Sequence, residues 1–478
     1  MEVASKPILN TLNRPALYTD YYELTMAQGY FLAGRQDEQA CFNYFFRDLP
    51  FDGGYVVFAG MGDLLEILQN FRFHDDELEY LKDQGFRPEF LEYLKDFEME
   101  VSIDSVKEGE IVFPLEPVVQ VRGSVIQTQL LETLLLNILN FESLIATKAS
   151  RLKYAAGERK VLDFGLRRAQ GFGGIQASKA AIIGGVEATS NVYSSFIHGI
   201  PASGTMAHSW IQSFEDEVTA FREYAKYYPD NCILLVDTYD TLASGVPNAI
   251  TVAKELEENG HKLRGIRLDS GDLAYFSRKA RNQLDRAGLD YVKIAVSNQL
   301  DERLIKSLLS QEAPIDLFGV GTRLVTGHET PALDGVYKLT SVNEVPKLKI
   351  SENIEKITLP GIKELIRYFD DQGRFYGDGI ILKEEQSVDT IYHPYYPAKH
   401  TTITKFESQK LHHEVLREGK LTNGIPGPKE SAEYARSRLE KLNPEHKRFD
   451  NPHIYKVGIS KKLMDLRDEL TQSLKNKN

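Results

Sequence analysis

The sequence predicts an α/β protein whose central part is an irregular, incomplete (β/α) barrel. Three observations predict it. From about Lys160, short apolar runs alternate with helical segments, the pattern of parallel α/β structure. Each run turns polar at its C-terminal end. Six clear runs are present, too few for a regular eight-stranded barrel.

The runs are VLDFG (Val161–Gly165), IPASGT (Ile200–Thr205), CILLVDTYD (Cys232–Asp240), LRGIRLDSGD (Leu263–Asp272), YVKIAVSN (Tyr291–Asn298) and LFGVGT (Leu317–Thr322). Helices are expected between them over Lys179–Phe196, Glu215–Tyr227, Asn248–Asn259, Leu273–Ala287 and Asp301–Leu309. Upstream, Thr19–Leu32 spaces Leu24, Ala27 and Phe31 as a helix does, behind a Thr or Asp cap. The aromatic Cys41–Arg47 reads as a strand. Phe73–Tyr93 reads as a helical hairpin broken at Gly85 and Pro88, and Val112–Val125, with two prolines, as edge strands. Gln127–Lys153 has one apolar face and reads as a long helix. Downstream come the strand-like GVYKLTSV from Gly335 and a turn-rich stretch, Tyr392–His400. A final helix over Ser460–Asn478 has Leu463, Leu466, Leu470 and Leu474 on one face.

At 478 residues the chain exceeds one ordinary core. It carries 57 Lys and Arg against 69 Asp and Glu, a net charge of −12. That balance argues against a nucleic-acid protein, which needs clustered cations for phosphates, and against adhesion to anionic membrane. The most apolar run, Leu130–Phe141, is interrupted by Glu132 and Asn137 and is too short to span a bilayer. MEVASKPILNTLNRP has no apolar signal core, and Cys41 and Cys232 lie far apart, so a reducing, cytoplasmic setting is expected.

Parallel strands bring their C-terminal ends to one rim, where ligands sit in this class. The rim candidates are Asp163 with Arg167 and Arg168, Thr205 with His208, and Asp237 with Asp240. Arg267 with Asp269 and Asp272, Ser297 with Asn298, and Gly321 with Thr322 complete the set. In RLDSGDL, Ser270 and Gly271 suit a tight turn and Asp272 a helix cap. Arg267 and Asp269 on one strand face suit a charged, hydroxyl-bearing ligand such as a ribose phosphate, with Mg²⁺. In LFGVGTRLVT, Gly319, Gly321 and Thr322 follow a strand, as an anion-binding turn or as an ordinary βα turn. Arg167 and Arg168 read as a solvated basic turn or as part of an anion pocket. His208 reads as a structural histidine or as a reactive one whose second nitrogen Asp237 could hold. There is no GxxxxGK[ST], no GxGxxG, no HExxH and no Cys/His cluster.

Taken in order, TDYYELTMAQGY, DFGLRRAQG, PASGTMAHSW, VDTYD, RLDSGDL and VGTRLVTG resemble the nicotinate phosphoribosyltransferase family of type II phosphoribosyltransferases. The resemblance implies a reaction: nicotinate and phosphoribosyl pyrophosphate give nicotinate mononucleotide and pyrophosphate, with ATP as co-substrate hydrolysed through a phosphohistidine. By motif match that histidine is His208, oriented by Asp237. Tyr22 would stack on the pyridine ring from a partner subunit, and Phe164 on its other face. Thr205, Arg267 and Ser190 would belong to the nicotinate pocket. Arg167 or Arg168, with Gly319, Gly321 and Thr322, would hold phosphates. Asp269 would face the ribose and Mg²⁺, and Ser270, Gly271 and Asn298 would line the substrate site.

The fold so implied is the irregular barrel plus a sandwich domain, in a homodimer with active sites at the interface. The expected seams give a sandwich over 1–135 joined by part of 335–400, a barrel over 136–334, and a helical extension over 400–478. Nicotinamide-preferring relatives carry an acid where this chain has Ser190, which favours nicotinate here. A quinolinate-specific relative needs no phosphohistidine and fits GTMAHSW poorly. A Schiff-base barrel lyase or isomerase needs a lysine at a strand end, and Lys293 is mid-strand. A non-catalytic binding module gives no reason for six converging polar ends.

Overall fold

The computed structural model describes residues 13–352 and 357–477. The chain divides into two compact units, Met1–Leu144 with Ala332–Asn478, and Ile145–Pro331.

The continuous unit, Ile145–Pro331, is built on a six-stranded parallel sheet. Its strands are β1 (Lys160–Asp163), β2 (Ala188–Thr189), β3 (Ile233–Leu235), β4 (Gly265–Leu268), β5 (Lys293–Ser297) and β6 (Leu317–Val320). The order is β2-β1-β6-β5-β4-β3, and all five pairings are parallel. The strands therefore follow chain order cyclically, with β1 joined to β6 and the sheet open between β2 and β3, a half-barrel. Val161, Leu234, Ile266, Ile294 and Phe318 are fully buried. Near-continuous apolar runs of this kind are what a parallel sheet covered by helices requires.

Three of the covering helices start on an aspartate. Asp216 accepts from the Thr219 N–H (2.8 Å), Asp272 from Tyr275 (3.0 Å) and Asp301 from Leu304 (2.7 Å). Each satisfies one orphan donor of a first helical turn.

Two elements differ from the sequence expectation. The helix expected over Lys179–Phe196 is three elements: a helix Gly173–Ile183, strand β2, and a helix Val192–His198. Gly185 forces the break, with φ at +101°, and Gly184 has no room for a side chain: a Cβ there would lie 2.2 Å from the Ala146 carbonyl oxygen. IPASGT is not a strand. Its backbone pairs with the sheet only beside Thr189, where Ala202 forms a single parallel bridge flanked by backbone hydrogen bonds at Pro201 and Ser203.

The other unit holds a seven-stranded, a six-stranded and a two-stranded sheet among its described residues. Strand Gln39–Phe46 lies inside the larger one, between Gly335–Val342 and Val119–Ser124, antiparallel to both. Val119–Ser124 is thus an interior strand and not the expected edge. Pro114 and Pro117 lie before it and cost the ladder nothing. The helical hairpin is present as Asp75–Asp83 and Pro88–Lys95. Residues 400–478 are not a purely helical extension. Strands His400–Thr402, Glu407–Lys410, His413–Arg417 and Lys420–Leu421 precede helices Pro428–Lys441 and Lys461–Lys477.

Candidate active site

The site assembles at the C-terminal ends of the half-barrel strands. Phe164 leaves β1 with its N–H bonded to the Val320 carbonyl (2.8 Å). Its ring fills the space over Gly319, where a Cβ would lie 2.3 Å from Phe164 Cε2. Glycine at 319 is therefore a packing requirement of the ring. The Arg267 guanidinium stands over that ring, 5.9 Å from its centroid.

Arg267, on β4, is held by several partners. Its Nη1 donates to Thr205 Oγ1 and to the Met206 carbonyl (3.2 Å). Its Nε donates to Ser297 Oγ (3.2 Å), and Nη2 lies 3.6 Å from Asp269 Oδ1. The Ser297 hydroxyl donates in turn to Asp269. Arg267, Thr205 and Asp269 were all legible in the motifs. Ser297, in the sequence only a polar strand end, ties Arg267 to Asp269. A planar cation over an aromatic face makes a slot for a flat, anionic ring.

His208 opens the short helix His208–Gln212, with its side chain 38% exposed. Nδ1 lies 3.1 Å from Thr238 Oγ1. Nε2 lies 3.9 Å from both Asp237 Oδ1 and Asp269 Oδ2. Asp237 was expected to hold a ring nitrogen directly, and it does not. Its Oδ2 already accepts from the Asp269 N–H and the Ser270 hydroxyl, each at 2.7 Å. Its Oδ1 is buried without a hydrogen-bond partner, 3.9 Å from the ring. The hydrogen bond to the ring belongs to Thr238. Gly271, with φ at +72°, completes the turn that delivers Ser270 and the Asp272 cap.

The remaining candidates divide. Gly321 and Thr322 lead from β6 into the turn Thr322–Val325, and Gly321 lies close under the Phe164 carbonyl, which a Cβ would meet at 3.1 Å. Arg167 and Arg168 are exposed on the turn Leu166–Arg168, with no side-chain partner among the described residues. Asn298 is exposed in left-handed backbone, φ +93°. Ser190 follows β2, its N–H bonded to the Asp163 carbonyl (2.8 Å). Glu187 is engaged elsewhere, on Lys153 Nζ (2.7 Å) and the Val161 N–H (2.8 Å).

Asp163 does not face the rim. It is fully buried and accepts from Ser178, Thr189 and the Gly165 N–H, while burial pushes its pKa up. Tyr22 lies in the other unit, on the first turn of Tyr21–Leu32, 47% exposed. The half-barrel alone does not supply it. Beside it Glu23 is buried and accepts from Gln129, and burial pushes its carboxyl up to about 7. Among the described residues no group of three or more His, Cys, Asp or Glu could hold a metal ion.

The profile of the nicotinate phosphoribosyltransferase (NAPRTase) family matches residues 159–386, which include the whole cluster around His208 and Arg267. The profiles of its N-terminal and C-terminal domains match 17–140 and 362–467. A nicotinate phosphoribosyltransferase of Bacillus subtilis is 42% identical over 456 residues, 93% of each chain. The chain belongs to the nicotinate phosphoribosyltransferase family. A Dictyostelium discoideum nicotinate phosphoribosyltransferase is 37% identical, with 94% of this chain and 87% of the relative covered. The crystal structure of human nicotinic acid phosphoribosyltransferase superposes with a TM-score of 0.82 at 32% identity, covering 95% of this chain and 99% of that one. No helix among the described residues of this family member is long and apolar enough to cross a membrane.

Proposed function

We propose that this chain transfers phosphoribosyl from phosphoribosyl pyrophosphate to nicotinate, and that it couples ATP hydrolysis to the transfer through a phosphohistidine at His208. The observation that carries this is the Arg267 guanidinium, fixed by Thr205, Ser297 and Asp269 above the Phe164 ring. The pyridine ring lies on Phe164 with its carboxylate toward Arg267, and the partner subunit's Tyr22 covers the other face. Ser190, a hydroxyl and not an acid, leaves the carboxylate unopposed, and Glu187 is tied to Lys153.

The pyridine nitrogen attacks C1′, and the C1′–O bond breaks with its electron pair leaving on pyrophosphate. Arg167 or Arg168 and the backbone N–H groups after β6 receive that charge. A divalent cation arriving with the pyrophosphate substrate suits Asp237 and Asp269. Two carboxylates, one with an unpartnered buried oxygen, are too few for a resident site but enough once phosphate oxygens join them. Bound there, it would neutralise charge on the leaving group.

At His208 the two carboxylates on the Nε2 side favour a proton on Nε2. That leaves the lone pair on Nδ1, which is the nucleophile toward the γ-phosphorus of ATP. A phosphoryl group there adds about two negative charges to the pocket. The pocket then binds the pyrophosphate substrate more tightly and releases product after hydrolysis.

The family's irregular barrel corresponds to the half-barrel, and its sandwich domain to the discontinuous unit. The enzyme acts as a homodimer. Val192, Tyr193, Phe196 and Ile197, all exposed on Val192–His198, supply an apolar face for a partner. We place it in the cytoplasm, whose reducing conditions suit the free, buried Cys41 and Cys232. The deciding test is nicotinate consumption with and without ATP, beside nicotinamide. Nicotinate turnover rises with ATP, and His208→Ala loses that rise together with phosphate labelling. Equal turnover of the amide, or labelling that survives in His208→Ala, overturns the proposal.

A further inference from the structure

Two consecutive residues bracket the His208 ring. Asp237 Oδ1 faces Nε2 at 3.9 Å, and Thr238 Oγ1 meets Nδ1 at 3.1 Å. The backbone that carries them is pinned on both sides. Upstream, Asp237 Oδ2 is bonded to the Asp269 N–H and the Ser270 hydroxyl. Downstream, Asp240 accepts from the Leu242 and Ala243 N–H groups (3.0 and 2.8 Å). Threonine's β-branch further restricts where its hydroxyl can point.

We propose that Thr238 is a positioning residue for phosphoryl transfer to His208. Resting on the phosphohistidine proposal above, it adds a residue for which no role is otherwise assigned. In the free enzyme its O–H donates to Nδ1, which aims the ring and holds the tautomer with its proton on Nε2. During transfer the Nδ1 lone pair forms the N–P bond. The bond from the γ-phosphorus to its bridging oxygen breaks, with the electron pair leaving on ADP. Nε2 keeps its proton, and Asp237 faces the resulting cation. The Thr238 proton never leaves its oxygen. Its hydrogen bond passes from Nδ1 to a phosphoryl oxygen, a charge-assisted bond stronger than the neutral one it replaces.

The test compares Thr238→Val, which keeps the shape and loses the hydroxyl, with Thr238→Ser, which keeps the hydroxyl. The full-length protein is given ATP labelled in the γ-phosphate, and acid-labile label on His208 is timed at saturating ATP. The valine variant labels about 10- to 100-fold more slowly, the loss expected for one hydrogen bond to a charged group. The serine variant returns to within about 3-fold of the parent, since the same bond is restored. A merely structural role would not be rescued this way. If the valine variant does not fold, Thr238→Ala replaces it with the same expectation. Valine labelling at the parent's rate, or serine as slow as valine, overturns the inference. A parent enzyme that takes no acid-labile label fails differently: the phosphohistidine itself then falls, and this role with it.

Discussion

Arg267 does three things with one side chain: it presents positive charge above Phe164, fixes Thr205, and reaches Asp269 both directly and through Ser297. Lysine keeps the charge but is a single point donor without the planar fork. Arg267→Lys is therefore expected to raise the KM for nicotinate about 10- to 100-fold, the cost of one lost hydrogen bond to a charged ligand. Steady-state kinetics checks it. RLDSGDL made Arg267, Asp269 and the Asp272 cap legible, because charge of both signs on one strand end is unusual without a ligand. Thr238 stayed hidden. A threonine at the end of an apolar run looks like any strand former, and only the fold puts its hydroxyl beside Nδ1. Asp163 was misread for the opposite reason. Its type suggests a rim, yet Ser178, Thr189 and the Gly165 N–H hold it inside.

β6 shows how an element shapes the site without touching chemistry. Its Gly319 exists so that the Phe164 ring can lie flat across it. Gly319→Ala pushes that ring off its seat, at about 1–3 kcal/mol for a forced overpacking. The expected result is a lower melting temperature together with a larger fall in kcat/KM for nicotinate. A fall in stability alone would mean that the ring does not line the substrate slot. Five of the six β-strands here were legible as apolar runs with polar ends. The sixth, β2, was not. Two residues show no periodicity, and it sits inside a stretch whose composition favours helix. The break that creates it depends on Ala146 crowding Gly184, a contact between segments that a local reading does not contain.

At the scale of the molecule, the discontinuous unit is held together by buried charge. Arg367 pairs with Asp378 and Glu110, Arg438 also meets Glu110, and Tyr455 bonds Asp378 (2.9 Å). Glu116 sits beside Asp378, and burial with that neighbouring carboxylate pushes its pKa well above the ordinary 4.5. The folded state thus keeps a proton that the unfolded chain releases, and above pH 4.5 this group's contribution to stability declines as pH rises. Glutamine copies the protonated form. Glu116→Gln should match the parent's melting temperature near pH 4.5 and exceed it at pH 8, by about 2–4 °C for each kcal/mol gained. Thermal melts across pH decide it, and a lower melting temperature at pH 8 refutes it. This network was not legible in the sequence, because Glu110 meets Arg367, 257 positions later, and Arg438, 328 positions later.

The same discontinuity orders events during synthesis. The Gln39 N–H finds its acceptor, Asn343, 304 positions later. A ribosome delivers the chain from its N-terminus, so all of Ile145–Pro331 emerges before Gly335–Val342 exists. That unit can fold on the nascent chain while QACFNYFF waits with one edge unpaired. An aromatic strand in that state is a template for aggregation. The hazard of making this enzyme therefore lies at its front end, and it persists until translation has passed residue 342.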